Sequence, residues 1–387
     1  MKNPIYSISS ECSGCKVCAE ICPKKCISFY EDAEHFAYPR VDESLCIDCR
    51  RCVAVCPQKK ATFNFVKEAF VGSHSHNEVF KSSSGGAFWA LCQILIPLGY
   101  VVIGVKWMDG FKVAYDVAFT LDEAQGFRKS KYVLSDTNGI FQKVKNLLKD
   151  GKKVLFTGTP CQVAACKNYI GDSDKLFLVD IVCHGAPNQE IFNKEVNYIE
   201  RKHNGKLESF EFRQKSPING KVNSRSAKYV VNSKEYYVEI NDDPFLRGYY
   251  SRLFYRPSCG TCHFARPERV GDVTLADAWG VHDILPDLDE LVGVSLLLFN
   301  SSKSLLLLPE IRRFMSIRNV DKEWAISTNL QLRVPTRFHE YRCDFFKKID
   351  VIDFEQNVRA CTRVSIKMRI RKYLGLTIKK IIGYYKK

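Results

Sequence analysis

The sequence predicts an α/β body with a small cysteine-rich module in front, a β-rich insertion within it and a basic helical tail behind. Three observations predict this. Eight of the seventeen cysteines fall in two matching runs before residue 60. From residue 80 onward, apolar runs of strand length alternate with helical stretches. After Glu355 no acidic residue occurs, while ten Lys and Arg fall between Arg359 and Lys387.

A chain of 387 residues, 45% hydrophobic with only 14 prolines, can bury the cores of more than one domain. No stretch is of low complexity. The opening "MKNPIYSISSEC" lacks the apolar region of a secretory signal. The longest apolar stretch, "AFWALCQILIPLGYVVIGV", is interrupted by Gln93, Pro97 and Gly99. A membrane-spanning helix needs ~20 apolar residues in a row, so this stretch reads as a buried helix followed by a strand. The expected compartment is the cytoplasm, where cysteines serve as metal ligands or free thiols.

The front module is carried by "CSGCKVCAEICP" at residues 12–23 and "CIDCRRCVAVCP" at residues 46–57. Each run is Cys-x2-Cys-x2-Cys-x3-Cys-Pro. Three closely spaced cysteines wrap one corner of a cubane iron–sulfur cluster, and the proline turns the chain away. In the two-cluster bacterial ferredoxin arrangement the fourth cysteine of each run ligates the other cluster. This assigns Cys12, Cys15, Cys18 and Cys56 to one 4Fe–4S centre, and Cys46, Cys49, Cys52 and Cys22 to the other. Crossed ligation would tie together a unit, residues 1–65, that has little core of its own. Zinc is the competing reading, but zinc sites draw cysteine pairs from separated segments. Cys26 is surplus and receives no ligand role.

In the body, "SSSGGAFWALCQILI" reads as a Ser/Gly loop and helix, followed by the strand "YVVIGVKW". "KKVLFTGTPCQVAACKNYI" is a strand, tight turn and helix, and "KLFLVDIVCHGAP" is a strand ending in Cys-His-Gly. Such alternation predicts a largely parallel sheet. Residues 207–240 alternate instead, with a hairpin turn at Asn232-Ser233, and form the β-rich insertion. "DVTLADAWGV", "GVSLLLFN" and a helix through "SLLLLPEIRRF" complete the body. Ligands of parallel sheets sit beyond the carboxyl ends of the strands. Cys161 and Cys183 should therefore emerge on one rim, and Cys259 and Cys262 of "SCGTCHF" complete four thiolates. That is enough for a third 4Fe–4S cluster, with zinc as the alternative. The backbone amides of "SSSGG" and "GTP", each opening a helix, can cradle phosphates.

The tail "RVSIKMRIRKYLGLTIKKIIGYYKK" interleaves basic and apolar residues. It suits peripheral contact with an anionic membrane or an acidic partner, or simply a helix packed with its basic face in water. No recognised motif accompanies the basic residues, so nucleic acid is not an expected partner.

Taken in order, "SSSGGAF", "KSKYV", "FTGTPCQ", "LVDIVCHGAP", "FYRPSCGTCHF" and "DVTLADAWG" resemble the beta subunit family of coenzyme F420 hydrogenase and dehydrogenase. The resemblance spans residues 75–300, with the ferredoxin module fused in front. It implies an FAD-binding flavoprotein with the dinucleotide near Ser84, Gly85, Gly86, Ser130, Lys131, Tyr132, Gly158 and Thr159. It also implies that Cys161, Cys183, Cys259 and Cys262 bind a cluster. The expected domains are residues 1–65, residues 75–330 (dividing at 160/161), and an uncharacterised tail, 331–387. The expected activity is that of an iron–sulfur, flavin-dependent oxidoreductase. Ferredoxin or another one-electron carrier would feed the clusters, and the flavin would serve deazaflavin F420 or another two-electron substrate. The alternative is an electron-transfer subunit docked on a larger redox complex, without its own substrate.

Overall fold

A computed structural model of the chain describes residue 5, residues 10–218 and residues 221–363. In the front module, β1 (Ile27–Glu31) and β2 (Ala37–Val41) pair antiparallel. Each cysteine run contains a single helical turn, Val17–Glu20 and Arg51–Ala54. Each turn is preceded by a residue in the left-handed region, Lys16 and Arg50, both at φ 56°. The matching reversal right after the second cysteine of each run turns the following thiols back toward the preceding ones.

The body strands are β3 (Glu68–His74), β4 (Tyr100–Met108), β5 (Lys112–Ala118), β6 (Lys153–Gly158) and β7 (Leu176–Ile181). The insertion supplies β8 (Leu207–Ile218), β9 (Lys221–Val231) and β10 (Lys234–Val238). The body resumes with β11 (Val273–Asp277), β12 (Ser295–Phe299) and β13 (Met315–Val320). Eight of these form one sheet in the order β13-β3-β12-β11-β7-β6-β4-β5.

The sheet is mixed, where a largely parallel one was expected. Its centre, β11-β7-β6-β4, is parallel. The flanking pairs β4-β5, β11-β12, β12-β3 and β3-β13 are antiparallel. The physical reason is visible at β4-β5, joined by the short turn Asp109–Phe111. A connection that short returns the chain antiparallel, since parallel neighbours require a crossover of a dozen residues or more. Following these pairings, β3, β4, β6, β7 and β11 all run the same way. Their carboxyl ends, at His74, Met108, Gly158, Ile181 and Asp277, therefore lie on one rim.

The central strands are apolar on both faces because helices cover both. Val102, Ile103, Leu155, Phe156 and Val179 are wholly buried beneath helices that include Ala87–Leu95, Ile140–Lys149 and Pro160–Ile170.

The insertion is a three-stranded antiparallel sheet, β10-β9-β8. Asn232 and Ser233, at φ 48° and 60°, make the two-residue turn between β9 and β10. The aromatic rings of Phe210, Phe212 and Phe192 fasten this sheet to the helix Gln189–His203. β8 then crosses the rim. Trp107 Nε1 donates to the Phe210 carbonyl at 3.2 Å, and Arg213 pairs with Asp277 at 2.7 Å.

Residues beyond 330 were expected to form a tail, yet part of this segment belongs to the core. The helices Arg342–Lys347 and Phe354–Cys361 bury Phe345, Phe346, Phe354 and Val358 against Phe245 and Phe254. Arg342 binds Glu34 of the front module and donates to the Tyr255 carbonyl at 3.0 Å. The basic run after Arg363, with its expected surface contact, lies outside the described residues. Among the described residues no helix is long and apolar enough to cross a membrane.

Candidate functional site

The eight front cysteines gather as two crossed quartets. Cys56, from the second run, stands among Cys12, Cys15 and Cys18 of the first, close enough for their charges to interact. All four are buried. Burial above all pushes the Cys56 thiol up to about 11. Cys22, from the first run, lines a solvent-open pocket of ≈ 330 Å³ with Cys46, Cys49 and Cys52 of the second. This second quartet is nearer the surface, and Cys49 is exposed. Cys26 lines the same pocket, its sulfur 3.4 Å from that of Cys22.

A third quartet forms on the rim of the sheet. β6 ends at Gly158, and Thr159-Pro160 opens the helix that carries Cys161. Thr159 Oγ1 lies 3.3 Å from Cys161 Sγ and donates to Gln162 Oε1 at 2.9 Å. Cys183 stands two residues beyond the neighbouring parallel strand β7. After it comes Gly185 at φ 132°, where a Cβ would sit 2.4 Å from the Tyr255 ring. Cys259 and Cys262 arrive on the turn Pro257–Thr261 and its cap, downstream of the insertion that crosses the rim.

These four cysteines line one cleft of ≈ 670 Å³, open to solvent. Ser13 and Gln58 of the front module line it as well, together with His184, Arg256 and Arg269. Burial pushes the Cys161 thiol up to about 11 and Cys259 to about 12, and raises Cys183 well above its ordinary value. Neighbouring thiolates add repulsion in each case. Thiols raised in this way ionise together more readily where bound cations replace their protons. Among the described residues no three His, Cys, Asp or Glu side chains close on a point fit for one metal ion. Burial also lowers the pKa of His184 below its ordinary value.

Residues 11–60 match a 4Fe-4S dicluster domain. Residues 151–321 match the family described as the C terminus of the coenzyme F420 hydrogenase/dehydrogenase beta subunit. The beta-subunit match thus follows the dicluster match along the chain. All four cysteines of the third quartet fall inside the beta-subunit match, and all eight front cysteines inside the dicluster match. Among solved structures, a chain of the F420-reducing NiFe hydrogenase complex from Methanosarcina barkeri is similar. It is 15% identical with a TM-score of 0.45, the alignment covering 69% of this chain and 90% of that one. No curated protein matches.

Of the eight residues that the resemblance placed near a flavin, six lie upstream of the matched beta-subunit domain. Their loops nevertheless meet: Ser83 Oγ accepts from the Ser130 amide at 2.7 Å, joining loop 82–86 to loop 128–132. Gly85 and Gly86 have packing reasons of their own. A Cβ on Gly85 would lie 2.5 Å from both the Gly72 oxygen and the Ser295 nitrogen. Gly86 caps the helix Ala87–Leu95 at φ 89°. Tyr132 stacks on Tyr249 at 4.3 Å. Thr159 lines the cleft of the third quartet, directly after Gly158 at the end of β6.

Two lysines complete this corner of the molecule, and only one was visible in the sequence motif. Lys131 donates to the carbonyls of Gly126 and Arg128 at 3.0 and 2.7 Å. Lys215, on β8, donates to the carbonyls of Val79, at 2.9 Å, and Ser84. Neither forms a carboxylate ion pair among the described residues, whereas adjacent Lys129 has Glu211. Burial lowers both Lys131 and Lys215 to about 7. Lys131 is half-buried. Lys215 was unreadable from the sequence because an alternating strand gives no sign of which loop its side chain reaches.

Proposed function

We propose that this chain is an iron–sulfur flavoprotein oxidoreductase that connects a one-electron carrier to a two-electron organic substrate. One observation carries the reading. Cysteines from three separated segments converge on a cleft that also admits Ser13 and Gln58 of the dicluster module. A third 4Fe–4S cluster bound by Cys161, Cys183, Cys259 and Cys262 would thus adjoin the buried front quartet. The outer quartet, with Cys49 exposed, faces a soluble donor such as ferredoxin.

FAD fits the corner beside the rim. Lys215 is buried and Lys131 half-buried, neither in a carboxylate ion pair among the described residues, and a pyrophosphate at the start of the helix Ala87–Leu95 would favour their charged forms. The loops Ser84–Gly86 and Ser130–Tyr132 would hold the dinucleotide. Flavin supplies the exchange between single electrons and pairs. Deazaflavin F420 is the substrate class that the family description suggests. That description also names a subunit, which favours a second reading: an electron-transfer component of a larger redox complex.

Anaerobic purification with iron, sulfide, zinc and flavin assays tests the proposal. Three cubane clusters predict about twelve irons per chain. About eight irons with zinc would refute the third cluster. Lys215→Met should lose flavin and keep iron, and unchanged flavin would remove the assignment. Turnover of a hydride donor by the isolated chain distinguishes an enzyme from an electron-transfer subunit.

A further inference from the structure

Among the described residues five arginines are buried, and four have a carboxylate. Arg128 pairs with Glu78, Arg213 with Asp277, Arg269 with Asp180 and Arg342 with Glu34. Arg256, 1% exposed, has no such partner among the described residues. Burying an unpaired guanidinium is costly unless some other negative charge faces it.

The surroundings of Arg256 identify that charge. The residue precedes the turn bearing Cys259 and Cys262, and it lines the cleft of the third quartet. Its side chain leaves the body and enters the front module. Nε donates to the Cys12 carbonyl at 2.5 Å and Nη2 to the Ala37 carbonyl at 2.8 Å. A Cβ on Gly14 would lie 3.0 Å from Nη1, so the guanidinium rests on the loop between Cys12 and Cys15. The guanidinium carbon stands 4.5 Å from the Tyr38 ring centre. Nη1 is buried without a hydrogen-bond partner. The cation is thus set between the buried front quartet and the third quartet, each of which becomes anionic when its thiolates hold a cluster.

We infer that Arg256 is the shared counter-ion of these two iron–sulfur sites, a positioning residue that raises both reduction potentials. The inference rests on the proposed third cluster for one of its two sites. Reduction adds negative charge to a cluster, and a fixed buried cation favours the reduced form. The outer quartet, around Cys49, has no part in this arrangement and serves as the internal reference.

The test is an EPR-monitored redox titration of the full chain, purified anaerobically as wild type, Arg256→Gln and Arg256→Lys. Arg256→Gln should disfavour reduction of the buried front cluster and the third cluster at least tenfold each. For one electron that is a fall of 59 mV or more. The outer cluster should hold its potential, and Arg256→Lys should remain near wild type. Unchanged potentials in Arg256→Gln at full iron content would overturn the inference. So would equal shifts in the Gln and Lys variants, or loss of iron from both alike, since each outcome assigns Arg256 a purely structural role. Iron near eight per chain in the wild type, four for each cubane, would remove the third cluster only. The shift at the front cluster would still decide the role of Arg256.

Discussion

Removing the carboxylate of Asp180 should cost the body about 3–5 kcal/mol, the range for breaking a buried ion pair on one side. Asp180 lies in β7, and its side chain and that of Arg269 are 0% and 2% exposed. Arg269 Nη2 donates to Asp180 Oδ1 at 3.1 Å. Oδ2 accepts from the amides of Val270 and Gly271 at 3.2 and 3.0 Å. Asp180→Ala therefore strands one guanidinium and two backbone donors together. Buried donors left unsatisfied cost about 1–3 kcal/mol each, which places the loss at the upper end. At about 2–4 °C per kcal/mol, a loss of ~5 kcal/mol should lower the melting temperature by roughly 10–20 °C. Because Arg269 lines the third-quartet cleft, iron of the proposed third cluster should be lost before iron in the front module. The assay is a thermal melt with iron analysis, made alongside Arg269→Met and the double variant Asp180→Ala/Arg269→Met. The double variant should lose less than the sum of the two single ones. Strict additivity, or a single variant melting like the wild type, would refute the reasoning.

Glu195 and Asp243 are fully buried and raised, chiefly by burial, with Asp243 adding repulsion at Glu195. Their folded pKa values lie above the unfolded ones, so the folded state binds more protons and stability falls as pH rises from about 4 toward the raised values. Glu195→Gln should stabilise the chain more at pH 8 than at pH 5, and parallel melting curves against pH would contradict this. Gly85→Ala should melt lower by about 1–3 kcal/mol of stability, because its Cβ meets backbone on two strands; a neutral result would show that the strands give way. Cys22→Ala, made together with Cys26→Ala so that the adjacent thiol cannot substitute, should abolish the cluster of Cys46, Cys49 and Cys52. EPR showing loss at Cys12, Cys15 and Cys18 instead would reverse the crossed assignment.

The sequence by itself determined the local chemistry. Spacing within a few residues specified the front cysteine runs, since three thiols in seven residues can reach one cubane corner whatever lies beyond. Runs such as "KVLFTG" and "LFLVDI" declared buried strands by composition alone, and Asn232-Ser233 declared a hairpin because both residues tolerate positive φ. What only tertiary structure decided was which distant pieces meet. β3, β5 and β13 are edge or antiparallel strands with polar residues exposed, so their periodicity was too weak to read. Lys215 reaches the Ser84 loop across 131 residues. Arg256 reaches Cys12 across 244. Contacts of that range leave no pattern along the chain, because they depend on how the insertion crosses the rim and where the front module docks. The same holds for the third quartet: its four cysteines are legible one by one, but their convergence is a property of the folded sheet.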